Sequence, residues 1–128
     1  MNDLPNKSQI ERFLRDHIDS VPQLEALLLI WRQNPRLWTS QEMARELYVS
    51  ADMASNVLSA LHERNLIARA GSDPTAYALV LETEERKQLL EGLGLMYRNE
   101  LIRVSNMIHA NASPGLRDFA RAFRFKKE

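Results

Sequence analysis

The sequence predicts a mainly α protein, and three observations carry that expectation. The first is a pair of short amphipathic helices joined by a tight connection. Met43, Ala44 and Leu47 recur at helical spacing, and after Tyr48-Val49-Ser50 so do Ala54, Val57, Leu58 and Leu61, at i, i+3, i+4 and i+7. The second is the segment directly after this pair. Leu66-Ile67-Ala68-Arg69-Ala70, then Gly71-Ser72-Asp73-Pro74-Thr75, then Ala76-Tyr77-Ala78-Leu79-Val80 reads as strand, turn, strand. The third is that the apolar positions on either side of this block keep the helical period.

Taken in order, residues 6–19 form a first helix with Ile10, Phe13, Leu14 and Ile18 on one face and Glu11, Arg12, Arg15 and Asp16 on the other. Ser8 and Glu11 have capping-box spacing, with Asn6 as the competing cap. Pro22 restarts the chain. Leu24, Leu27, Leu28 and Trp31, widened by Leu29 and Ile30, then describe a helix buried on most sides, which Asn34-Pro35 ends. Trp38 is expected in a short strand pairing with the hairpin. Ser40 is expected to cap the helix of Met43, and Ser50 the next one, each offering its hydroxyl oxygen to a free backbone N–H.

Beyond the hairpin, Thr83 caps a helix whose first turn holds Glu84 and Glu85, where acids suit the positive end of the helix dipole. Leu89, Leu90, Leu93, Met96, Tyr97, Leu101, Val104, Met107 and Ile108 extend it to residue 110. That is about 27 residues, or about 40 Å, with Gly92 and Gly94 as the place for a kink. Leu90, Leu93, Tyr97, Val104 and Met107 sit at heptad spacing, interrupted by Glu100. Because apolar residues wrap more than one side, Leu90, Leu93, Tyr97, Leu101, Val104 and Ile108 are the expected contacts of a homodimer. A loop at 111–115 leads to a last helix with Leu116, Phe119, Ala120 and Phe123 on one face and Arg117, Arg121 and Arg124 around it.

Met43-Ala44-Arg45-Glu46-Leu47-Tyr48-Val49-Ser50 resembles the turn signature of the winged helix-turn-helix domain of bacterial transcription regulators, commonly Leu-Ala-x-x-Leu-Gly-Val-Ser. Every residue type matches except the glycine. That position usually needs positive φ, which costs a residue with a Cβ about 1 kcal/mol, so Tyr48 predicts either a strained turn or a different geometry. The expected architecture is a winged helix-turn-helix (three-helix core plus β-hairpin wing) with an added N-terminal helix and a long C-terminal helical arm. It divides into residues 1–20, 21–81 and 82–128 of one unit. The ending Phe119-Ala-Arg-Ala-Phe-Arg-Phe-Lys-Lys127 also resembles that of small bacterial proteins with an N-terminal winged helix, a likeness that brings no activity with it.

The resemblance implies double-stranded DNA as the partner, and the residues suggest where. Asp52, Ser55, Asn56 and Ser59 face outward near the start of the second helix. Asn56 suits adenine, Asp52 suits cytosine N4, and the serines suit bases or phosphates. Ser40 and Gln41 suit a phosphate at a helix start, and Arg69 suits phosphate or a minor groove. Charge argues the other way. Residues 38–81 carry three basic side chains against five acidic ones, whereas DNA affinity rests on cations that displace counterions. The cations lie instead at the end, where residues 117–128 carry five basic against two acidic; Arg121, Arg124, Lys126 and Lys127 are candidate phosphate or acidic-partner contacts. The rival reading is therefore a protein-interaction module serving transcription or signalling machinery.

Equal totals of 17 basic and 17 acidic residues, 45% hydrophobic residues and no cysteine describe an ordinary globular chain without thiol chemistry, placed by expectation in the cytoplasm. No apolar run is long enough for a membrane span. His17, His62 and His109 are scattered, outside any metal-ligand motif, and His62-Glu63 reads as surface polarity. There is no phosphate-cradling glycine loop or nucleophile elbow, and Glu82, Glu84 and Glu85 open a helix rather than pair for acid–base work. No catalytic residue, metal or cofactor is expected, and the chain reads as not an enzyme.

Overall fold

Five helices begin where a short polar side chain takes up a free amide of the first turn. Asn6 opens α1 (Lys7–His17) with a reciprocal capping box to Gln9, both bonds 2.9 Å. Ser20 opens α2 (Val21–Arg32), with Pro22 in its first turn. Ser50 opens α4 (Ala51–Glu63) and Thr83 opens α5 (Glu84–Asn99). The cap of α3 (Ser40–Leu47) differs from expectation. Thr39, not Ser40, is the capping residue, because Glu42 lies three residues after Thr39 and returns a bond to its amide. The computed structural model describes residues 6–72, 75–80 and 83–110.

After α4 the chain forms the hairpin β1 (Ile67–Arg69) and β2 (Tyr77–Leu79), antiparallel, with Arg69 opposite Tyr77. On the other edge of β2, Tyr77 and Trp38 exchange both backbone bonds at 2.8 Å. Helix, single-residue strand, two helices and hairpin thus come in the order of a winged helix-turn-helix. The core centres on α2, whose Leu24, Ala26, Leu27, Leu28 and Ile30 are fully buried. Met43, Ala54, Leu58, Leu61 and Trp38 close on it from the helix-turn-helix side, and Phe13, Leu14, Leu90 and Leu93 from the other.

The C-terminal arm departs from the single long helix the spacing suggests. It breaks at Glu100 into α5 and α6 (Leu101–Ala110), while Gly92 and Gly94 stay within α5. Burial explains the break, because the bend brings Val104 and Ile108 back into the protomer's own core. Two buried aliphatic side chains are worth about 1.5–3 kcal/mol each, more than the hydrogen bonds lost at one residue. Glu100 accepts ion pairs from Lys7 (3.6 Å) and Arg103 (3.5 Å), and Arg103 also pairs with Glu11, so charges from α1 and α6 meet at the bend. The same bend corrects the expected dimer seam. Leu90, Leu93, Val104 and Ile108 are buried within one chain and Tyr97 is half-buried, which leaves Leu101 exposed.

Candidate nucleic-acid interface

Helix α4 has two faces of opposite chemistry. Ala54, Val57, Leu58 and Leu61 are buried against the core, while Asp52, Ser55, Asn56 and Ser59 are exposed. At 3.6 residues per turn these four fall within an arc of about 100°, so an amide, two hydroxyls and a carboxylate share one solvent face. The Ser50 hydroxyl does not join them, because it accepts the Met53 amide at 3.1 Å as the helix cap.

Neighbouring elements frame this face. Gln41 is exposed and Ser40 half-buried in the first turn of α3. Arg69 is exposed on β1, its guanidinium 5.2 Å from the Tyr77 ring centre. His62, expected as surface polarity, is half-buried and meets Tyr77 edge-on, ring centres 5.5 Å apart. It anchors the end of α4 to the hairpin. The expected last helix, with Arg121, Arg124, Lys126 and Lys127, lies outside the described residues.

One feature is not foreseen from the sequence, and a second decides between two alternatives the sequence leaves open. Arg36 stacks its guanidinium 3.8 Å from the centre of the fully buried Trp38 ring and is held by Gln33 Oε1 at 2.7 Å. The signal was the i, i+2 spacing, which puts two side chains on one side of an extended segment. The second is the turn. Tyr48 adopts the left-handed conformation, φ 58° and ψ 45°, with its backbone N–H donating to Ala44 O. The turn therefore has the glycine-type geometry, carrying a tyrosine at a strain of about 1 kcal/mol, and its side chain is 94% exposed.

Electrostatically the region is poor in cations. Glu46 and Asp52 are exposed and Glu42 is engaged in its capping box, while Arg64 is tied to Asp19. Across the molecule, Tyr97 donates its hydroxyl to Glu25 Oε2 at 3.0 Å. Burial first, and the Glu25 carboxylate second, push its pKa up to about 12. Among the described residues no cluster of three or more His, Cys, Asp or Glu is placed to hold a metal ion, and no helix is long and apolar enough to cross a membrane.

No family model matches the chain, and no curated protein matches it. Among solved structures it is similar to a double mutant of Lactococcus lactis ZitR in apo form. The identity is 18% and the TM-score 0.47, over 93% of this chain and 86% of that one. A likeness of that degree carries no argument about function, which rests on the geometry of α4 and the hairpin.

Proposed function

We propose that the chain binds double-stranded DNA as a transcriptional regulator, presenting the start of α4 to the major groove with the hairpin alongside. The observation that supports this most is the uninterrupted polar face of Asp52, Ser55, Asn56 and Ser59 on the second helix of a helix-turn-helix. In that role Asn56 pairs with adenine, Asp52 accepts from cytosine, and Ser55 and Ser59 meet bases or phosphates. Gln41 and Ser40 address a phosphate through side chain and backbone amide, and Arg69 reaches the backbone from the hairpin. The basic tail residues Arg121, Arg124, Lys126 and Lys127 supply further phosphate contacts.

Selection of bound sequences from random duplexes, with retention then measured across a salt series, tests the proposal. A regulator enriches a defined motif and loses affinity as salt rises. The second reading, a protein-interaction module without tight DNA binding, is favoured by the exposed Glu46 and Asp52 beside Tyr48; it predicts no retention even at low salt.

The proposal includes a homodimer, since paired heads would read half-sites about one duplex turn apart. Leu95, Leu101 and Ile102, 43%, 51% and 74% exposed, are the apolar side chains of α5 and α6 left for that contact. Light scattering checks it. A mass equal to one 14.8 kDa chain at every concentration rules the dimer out.

A further inference from the structure

We infer that Tyr48 is a DNA-backbone contact, its phenol donating a hydrogen bond to a phosphate that borders the groove entered by α4. The inference rests on the proposed DNA binding and adds a residue to it.

Two observations combine at this position. The backbone of Tyr48 is left-handed, a region that glycine occupies freely and a side chain occupies under strain. The backbone closes α3 by donating to Ala44 O, a task glycine would perform without strain, and strained residues cluster at functional sites. The side chain returns nothing to the fold. It is 94% exposed, and among the described residues no hydrogen bond, ion pair or ring contact engages it.

Position supplies the rest. Tyr48 lies two residues before Ser50, the cap of α4, and a helix-turn-helix brings the first residues of its second helix to the base edges. A side chain projecting from the connecting turn then lies alongside the strand that walls the groove. Tyrosine is among the side chains that donate to phosphate oxygens. A neutral donor also suits this surface. With Glu46 and Asp52 exposed nearby, a hydroxyl donor adds to the contacts of Arg69 without bringing a further cation to the turn. Such a contact releases no counterion, so it strengthens binding without steepening the salt dependence.

The test uses the full chain, a pool of random-sequence duplex DNA, and the variants Tyr48→Phe and Tyr48→Gly. Tyr48→Phe keeps the backbone and ring, and affinity should fall roughly 10- to 100-fold, the worth of one hydrogen bond from a neutral donor to a charged acceptor, with an unchanged salt slope. Losing a Lys or Arg contact would instead shift that slope by about 0.9. Tyr48→Gly should lose at least as much affinity while its melting temperature rises, a combination that a purely structural role does not produce. Variants that bind as the wild type does overturn the inference, leave the DNA reading standing, and release Tyr48 for a protein partner. A Tyr48→Phe slope shifted by a full contact overturns it as well. A wild type that fails to retain DNA at low salt removes both proposals together.

Discussion

Helix α4 is bracketed by the two non-glycine residues with a left-handed backbone among the described residues, and they differ in kind. At its far end Asn65, φ 62°, is a residue type that tolerates this region. Everything around it serves the fold: Asn65 N donates to His62 O and Leu66 N to Leu61 O, both 3.0 Å, and Arg64 pairs with Asp19 ahead of α2. Tyr48, two residues before the cap of the near end, has the same backbone with a bulky, exposed side chain. One end is closed economically, and the other retains a conformation that glycine would relieve. The same contrast runs along the helix, whose inner face is core and whose outer face carries Asp52, Ser55, Asn56 and Ser59, with Met53 exposed at its edge.

The largest expected effect breaks or sharpens this division of faces. Leu58→Ala should destabilise the protein by about 2–5 kcal/mol through the cavity it leaves, whereas Ser59→Ala, one residue on and exposed, should stay within about 0.5 kcal/mol. Denaturant melts of the two variants check this; a costly Ser59→Ala would mean that the outer face is already occupied by the protein itself. Next in size are the two left-handed positions. Tyr48→Gly should stabilise by about 1 kcal/mol, offset in part by the added freedom of the unfolded chain. Asn65→Gly should change stability by only a few tenths, since asparagine is already tolerated. Equal responses at the two sites would erase the distinction drawn between them.

An effect confined to high pH lies across the core, at Tyr97. Its folded-state pKa is pushed up to about 12 from an ordinary value of 10. The unfolded chain therefore releases this proton first as pH rises. Its contribution is complete below pH 10 and is lost between pH 10 and about 12. Thermal melts of wild type and Tyr97→Phe should run parallel below that window, and within it the wild type should lose stability faster. Parallel curves throughout would show that the hydroxyl is not held by Glu25 and its burial.

What the sequence made legible was mostly local. The hairpin, the Ser50 and Thr83 caps and the Trp38 pairing come from spacing and turn chemistry within a few residues. The cap of α3 was legible too, but adjacent hydroxyls at Thr39 and Ser40 compete, and only the distance to Glu42 separates them. The break at Glu100 showed itself as a charged residue in an apolar seam. Its meaning did not, because the bend is fixed by burying Val104 and Ile108 in the core, and Lys7 and Glu11, whose charges meet it there, lie more than 90 residues away in the chain. For the same reason the spacing of Leu90, Leu93, Val104 and Ile108 showed a buried seam without showing that the chain buries it against itself. Of the candidate interface, the outer face of α4 is where the periodicity placed it. The stacking of Arg36 on Trp38 left only the i, i+2 spacing as its signal, because Gln33, which holds the guanidinium, lies outside the strand.

The central claim is that Asp52, Ser55, Asn56 and Ser59 form a surface that reads DNA. The most direct measurement compares the sequences selected from random duplexes by the wild type and by Asn56→Ala, a substitution expected to leave stability within about 0.5 kcal/mol. The account predicts that the wild type enriches one motif and that Asn56→Ala relaxes it at a single adenine, losing about 1–3 kcal/mol of discrimination there. Enrichment of the same motif with the same stringency by both proteins, or of no motif by either, would contradict it.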